Sequence, residues 1–213
     1  MKTKICGITN KEDATWALNY GADFIGINFY KDSPRHCSLS NAEKWAPQLP
    51  SFANVVGVFV NAGQKELLHH VTHLNLKGVQ LHGDETPEDV ASLKEAIAGT
   101  GRKVVMIKSF RMKDEQTLDS LASYAPVVDY FLLDSYVEGE EGGTGTRFNW
   151  NLAVKAKELG KPIFLAGGLT PENVKEAVKK VQPFAVDVAS GVEKSPRKKD
   201  PEKIKTFITN AKN

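Results

Sequence analysis

The sequence predicts an α/β fold, a single-domain (β/α)8 TIM barrel spanning residues 1–213. Short β-branched or apolar runs recur eight times along the chain, and segments with helical periodicity lie between them. A length of 213 residues is close to the minimum for eight such units. Periodicity does not say whether the last strand pairs with the first, so a doubly wound open sheet remains an alternative. In both architectures ligands bind at the carboxyl ends of the strands.

The first run, Thr3 to Cys6, leads to Thr9, which with Glu12 has capping-box spacing, so that a side-chain oxygen and a carboxylate satisfy unpaired backbone N–H groups. Phe24 to Phe29 follows, then Ser40 and Glu43 at the same spacing. The third run, Asn54 to Val60, precedes a helical segment carrying His69, His70 and His73. After the fourth, Gly78 to Leu81, comes Thr86-Pro87, an N-cap before a proline at the first helical position, where the missing N–H costs nothing. Lys103 to Ile107 and Tyr130 to Leu133 are the fifth and sixth runs. Pro162 to Ala166 leads to Thr170-Pro171, and Ala185 to Val188 leads to Asp200-Pro201, both repeating the cap-and-proline signal. The longest irregular stretch, Ser135 to Phe148, is glycine-rich and suits a lid.

Composition excludes several classes. Hydrophobic residues at 41% and charged residues at 25% are ordinary for a globular domain. A formal charge of +2 is too small to imply a nucleic-acid partner. The one basic cluster, Lys194, Arg197, Lys198 and Lys199, reads as a solvated loop face or a weak attractor of anions. No stretch approaches the roughly 18 apolar residues of a membrane span, and Met1-Lys2-Thr3-Lys4 runs into a strand without a signal-peptide core, so a cytoplasmic location is expected. With two cysteines, Cys6 and Cys37, there is no disulfide framework or zinc-type Cys/His spacing. The three histidines lack an accompanying Glu or a third ligand and read as surface residues, so no metal is expected. Nothing marks an obligate protein partner.

The residues able to carry chemistry sit where strands end. Cys6 closes the first run and Asp134 the sixth, and a barrel brings strand ends to one rim, where a thiol and a carboxyl can serve as proton acceptor and donor. The pair suggests an isomerase. Leu165-Ala166-Gly167-Gly168-Leu169 and Val188-Ala189-Ser190-Gly191-Val192 are similar small-residue turns after the seventh and eighth strands, the positions where barrels bind phosphate. Arg35, after the second strand, carries a planar fork matched to a carboxylate, or is a surface charge. His82 is able to exchange protons or to orient its own loop, and Cys37 reads as a small buried residue.

Lys4 to Thr9 (KICGIT), Ser33-Pro34-Arg35, Gly57 to Asn61 (GVFVN), Val79 to Glu85 (VQLHGDE), Leu133-Asp134-Ser135, Gly142 to Gly145, Ala166 to Leu169 and Asp187 to Glu193 (DVASGVE) together resemble the phosphoribosylanthranilate isomerases of tryptophan biosynthesis, in that family's order and over essentially the whole chain. The resemblance implies a (β/α)8 barrel without a cofactor. It implies conversion of a small phosphoribosyl substrate, N-(5-phosphoribosyl)anthranilate, to the 1-deoxyribulose 5-phosphate by an Amadori rearrangement. It places Cys6 on the general base, Asp134 on the general acid and Arg35 on the contact to the anthranilate part. Gly167-Gly168 and Ser190-Gly191 fall on the phosphate loops, with Asp187 beside them. The chain departs from the family near Cys37, where a β-branched apolar residue is usual, and at Pro196-Arg197-Lys198-Lys199-Asp200, where the family has a Pro-Gly turn. Two rivals remain: a histidine-pathway aldose-ketose isomerase, whose first aspartate would stand where Cys6 does, and a catalytically silent phosphate binder on the same barrel.

Overall fold

The computed structural model of the chain describes residues 1–135 and 150–213, with Ser135 described by its backbone alone. The lid expected within Ser135 to Phe148 therefore lies outside the described residues. Eight parallel strands, β1 (Lys2–Ile5), β2 (Phe24–Asn28), β3 (Asn54–Phe59), β4 (Gly78–Leu81), β5 (Val105–Met112), β6 (Tyr130–Ser135), β7 (Ile163–Leu165) and β8 (Ala185–Val188), pair in sequence order and close into a barrel. Closure runs through β1 and β8, with Lys4 opposite Asp187 and Ile5 opposite Val188. The open-sheet alternative is thereby excluded.

The eight apolar runs all become strands. The fifth extends five residues beyond the expected Ile107, to Met112. Past that point polar and apolar residues alternate: Phe110 and Met112 join the core beneath the helices, while Ser109 and Arg111 share the inner face of Ile107.

Helices α1 (Lys11–Asn19), α2 (Leu39–Ala42), α3 (Gln64–Leu74), α4 (Pro87–Gly99), α5 (Gln116–Tyr124), α6 (Trp150–Ala156), α7 (Val174–Val181) and α8 (Pro201–Lys212) lie between the strands or after the last. Two expected starts hold: Thr86 and Asp89 form a reciprocal capping box on α4, and Asp200 caps α8 ahead of Pro201. Three are displaced. Asn10, not Thr9, caps α1 by accepting from the Asp13 N–H at 2.9 Å, while the Thr9 hydroxyl donates to the Arg197 carbonyl. Ser38 rather than Ser40 caps α2. Thr170 does not open α7; its N–H donates to the Asn173 side chain, and the helix begins at Val174. In the first two cases a neighbouring Asn or Ser makes an equally good cap, and loop geometry chooses, whereas Asn173 precedes α7 without a side-chain cap.

The core has two compartments. Between strands and helices, α8 buries Ile204, Phe207, Ile208 and Ala211, the i, i+3, i+4, i+7 stripe of an amphipathic helix. The same stripe on α3 is Leu67, His70, Val71 and Leu74, so His70 is buried against Phe29 and Phe59, contrary to the expected surface position; His69 and His73 are exposed. Inside the barrel Val56, Ile107, Leu132, Phe164, Ala166 and Ala185 pack with Phe24, Tyr130 and Phe184. This apolar plug occupies the amino-terminal half of the barrel and leaves the carboxyl-terminal half for polar groups.

The stretch after β8 contains an antiparallel hairpin, β9 (Glu193–Ser195) and β10 (Lys198–Lys199), turned at Arg197 with φ of 70°. Lys194, Arg197 and Lys198 are exposed as expected, but Lys199 is fully buried, its ammonium bonded to the Ala189 carbonyl and Glu193. Cys37 is buried at 1% exposure.

Candidate active site

Strand alternation builds the site directly above the plug. Two residues beyond an inward-facing position, the next side chain faces the same interior one layer higher. On β1 that succession is Lys4 then Cys6, on β4 Gln80 then His82, on β6 Leu132 then Asp134, and on β8 Ala185 then Asp187. A parallel barrel puts all these ends on one rim, so the expected proton acceptor and donor stand on the same face. Neither is sealed: Cys6 is 9% exposed and the Asp134 side chain 19%.

Cys6 is fixed from several sides. Its N–H donates to the Val188 carbonyl at 2.8 Å. Gly26 on β2 lies so close that a Cβ there would sit 2.7 Å from the Cys6 sulfur. Gly7, with φ of 74°, lets the aliphatic stem of Arg35 cross it, since a Cβ there would meet Arg35 Cδ at 2.6 Å. Burial pushes the thiol above its ordinary pKa, against the Lys4 charge that pulls it down.

Beneath Cys6 lies Lys4, with no exposed surface. Its ammonium donates to Asp187 Oδ1 at 2.8 Å and to Gln80 Oε1 at 2.9 Å. Burial disfavours the charge, but Asp187 and Cys6 together hold the Lys4 pKa above the ordinary lysine value. The Gln80 amide stands 3.5 Å from His82 Nδ1, and His82 Nε2 stands 4.0 Å from Asp134 Oδ2. A chain of polar groups thus crosses the barrel from the region of Cys6 to Asp134. Burial, then the charges of Arg111, Lys108 and Lys4, drop the His82 pKa to about 4, so the imidazole is neutral at ordinary pH. Its loop is anchored by Lys108, which donates to the Gly83 carbonyl at 2.6 Å and to Glu85 at 2.8 Å.

Arg35 already holds a carboxylate. Its Nε and Nη2 donate to the two oxygens of Glu193 at 2.9 and 2.8 Å, and Lys199 donates to the same group at 3.0 Å. Burial works against the Glu193 charge, but Arg35 and Lys199 outweigh it and lower its pKa. The Nη1 nitrogen takes no part in this pair.

The two small-residue turns are neighbours. Gly167 and Gly168 both have positive φ, 82° and 64°, a conformation that needs glycine. A side chain on Gly191 would collide with the Leu169 carbonyl oxygen, so only glycine lets the turns touch. Asn173 clamps the first by donating to the Gly168 carbonyl at 2.8 Å. Asp187, 8% exposed, sits below with Lys4, and Ser190 opens the second turn.

The structure therefore gathers Cys6, Asp134, Arg35, Asp187 and both glycine turns on one rim. Lys4, Gln80, Glu193 and Lys199 escaped the sequence reading. One signal was present: Gln80, like Asp187, is a polar residue inside an otherwise apolar strand, at an inward position. Among the described residues no group of three His, Cys, Asp or Glu side chains could hold a metal, and no helix is long and apolar enough to cross a membrane.

Comparison with known proteins gives a family. Residues 3–210 match the family model for N-(5'phosphoribosyl)anthranilate (PRA) isomerase. An N-(5'-phosphoribosyl)anthranilate isomerase of Trichlorobacter lovleyi is 45% identical over 213 residues, covering 100% of this chain and 98% of that protein. The phosphoribosyl anthranilate isomerase of Thermotoga maritima superposes with a TM-score of 0.89 at 40% identity, covering 100% of this chain and 98% of the other. A phosphoribosyl anthranilate isomerase solved in complex with reduced 1-(o-carboxyphenylamino)-1-deoxyribulose 5-phosphate superposes at 0.85 with 39% identity and the same coverage.

Proposed function

Since the chain belongs to the N-(5'-phosphoribosyl)anthranilate isomerase family, we propose that it converts N-(5-phosphoribosyl)anthranilate to 1-(2-carboxyphenylamino)-1-deoxyribulose 5-phosphate in tryptophan biosynthesis, with Cys6 as base and Asp134 as acid. The observation supporting this assignment is the inward-facing polar layer, which sets a thiol and a carboxyl on one rim above an apolar floor.

The geometry suits the chemistry step by step. Asp134 gives a proton to the furanose ring oxygen while the substrate nitrogen's lone pair forms the C1=N bond and the C1–O bond breaks. Cys6, as thiolate, takes the proton from C2, and the C–H electrons form C1=C2 as the C1=N electrons return to nitrogen. The enolamine gains a proton at C1 and loses one from its 2-hydroxyl, leaving a ketone at C2 and no net change in protons. The raised Cys6 pKa means that the thiolate is a minor form at neutral pH, so a nearby cation that stabilises it favours the reaction.

Arg35 meets the anthranilate carboxylate through Nη1 while Glu193 keeps its other nitrogens in place. The turns at Gly167-Gly168 and Ser190-Gly191 receive the phosphate. Asp187, compensated by Lys4, offers its remaining oxygen to a sugar hydroxyl. Residues 1–213 act as one domain in the cytoplasm, every assigned residue comes from this one chain, and no protein partner is assigned.

The test is turnover of freshly generated phosphoribosylanthranilate, followed by loss of its fluorescence. Cys6→Ala and Asp134→Asn should each lower kcat by about 10² or more, with much smaller changes in KM. Near-normal rates in either variant would remove that residue from the mechanism, and ligand binding without turnover in the parent would leave only a silent phosphate binder.

A further inference from the structure

One buried group has no role in the steps above. Lys4 is completely enclosed, so it cannot touch a substrate, and burying an ammonium carries a penalty of several kcal/mol that its ion pair must offset. Its surroundings are more specific than that ion pair requires. The ammonium joins β1 to Asp187 across the barrel seam and to Gln80 on the far side of the interior, and it lies one inward position below the proposed base. Gln80 passes the contact on to His82 Nδ1, leaving His82 Nε2 toward Asp134.

We infer that Lys4 is a positioning residue for the isomerisation, a buried cation that compensates the charge appearing on Cys6 and, through Gln80, orients the His82 ring beside Asp134. The inference rests on the assignment of Cys6 as base. Its physical content is electrostatic. Once Cys6 loses its proton, the thiolate faces Asp187, a like charge, inside a poorly solvated barrel. Lys4 lies next to both and offsets that repulsion. The other charged group acting on Cys6 is Lys199 from the β9–β10 hairpin, and the stem of Arg35 lies over the adjoining Gly7; Gly26, the neighbour on β2, brings no charge.

The experiment follows the pH dependence of iodoacetamide alkylation, with peptide mass spectrometry separating Cys6 from Cys37, alongside kcat and KM. In Lys4→Met the Cys6 alkylation profile should move at least one unit toward alkaline pH, a tenfold slower reaction at a fixed pH below the transition. Its kcat should fall at least tenfold, with KM within threefold of the parent. Lys4→Arg should recover part of both losses, which a packing role alone would not give. Asp187→Asn should move alkylation the other way, toward lower pH, and it carries the test if Lys4→Met does not fold. Profiles that superimpose on the parent in the folded variants would overturn the inference. Alkylation needs no substrate, so a parent chain without turnover would count against the proposed function and not against the Lys4–Cys6 coupling.

Discussion

Replacing Gly26 with alanine tests the placement of the thiol more sharply than removing the thiol does. The new Cβ would lie 2.7 Å from the Cys6 sulfur, 3.1 Å from Cys6 Cα and 3.2 Å from Cys6 Cβ, where ordinary contact begins near 3.4 Å. Relief therefore requires the sulfur to retreat by roughly 0.7 Å, and the close approach to Cα means that rotating the side chain is not enough. Overpacking of this kind costs about 1–3 kcal/mol, or some 2–12 °C in Tm at about 2–4 °C per kcal/mol. A reacting group misplaced by about 1 Å loses on the order of 10² in rate, so a retreat of this size should lower kcat by about 10–100-fold. Gly57→Ala is the matched control. Its Cβ would meet Leu76 Cδ1 and Phe59 Cε2, both at 2.7 Å, on the helix-covered side of β3. Thermal unfolding and initial rates measured together should show both variants destabilised and only Gly26→Ala slowed. A Gly26→Ala enzyme with kcat within twofold of the parent would refute the argument that Cys6 works from the position seen here.

Two further predictions concern pH. Glu193 has a folded pKa below its usual value, so its contribution is present above about pH 4.5 and is lost as pH falls through the lowered value. Glu193→Gln should therefore be less stable than the parent at neutral pH, by up to about 3–5 kcal/mol because Lys199 and Arg35 lose a buried partner, with the gap closing below pH 4.5 in denaturant titrations. A gap that stayed constant across pH would show that the charge is not what matters. His82 should remain neutral down to about pH 4 in its imidazole proton NMR shifts, and because its pKa is lowered from 6.5 its contribution to stability should decline between pH 6.5 and 4. An inflection at pH 6.5 would contradict its enclosure by Arg111, Lys108 and Lys4.

Strand positions were legible because buried parallel strands read as short runs rich in β-branched and apolar residues, and all eight runs became strands. The end of β5 was not, since beyond Ile107 the chain changes from a run to an alternation, with Ser109 and Arg111 inward and Phe110 and Met112 outward. Cap assignments failed where two capping residues adjoin, as at Thr9 and Asn10, because propensity does not separate them and the Thr9 hydroxyl is taken up by Arg197. Cys6, Asp134 and the glycine turns could be located because they end strands. Lys4 could not, since nothing local in Lys4-Ile5-Cys6 reveals an acceptor 183 residues away. Glu193 was hidden similarly: that it would hold Arg35, and that Lys199 would be buried rather than solvated, depends on the hairpin folding back.

The Lys4–Asp187 pairing also bears on how the chain acquires activity. Those two residues belong to the strands farthest apart along the chain, and loop-closure entropy makes such contacts expensive to form early. Until the final strand docks beside the first, Lys4 has no counter-ion and Cys6 has no Val188 carbonyl to hold its amide. A refolding population should therefore regain helix signal before it regains turnover, and partly assembled chains, however compact, would be silent. Catalytic competence is in effect a readout of ring closure.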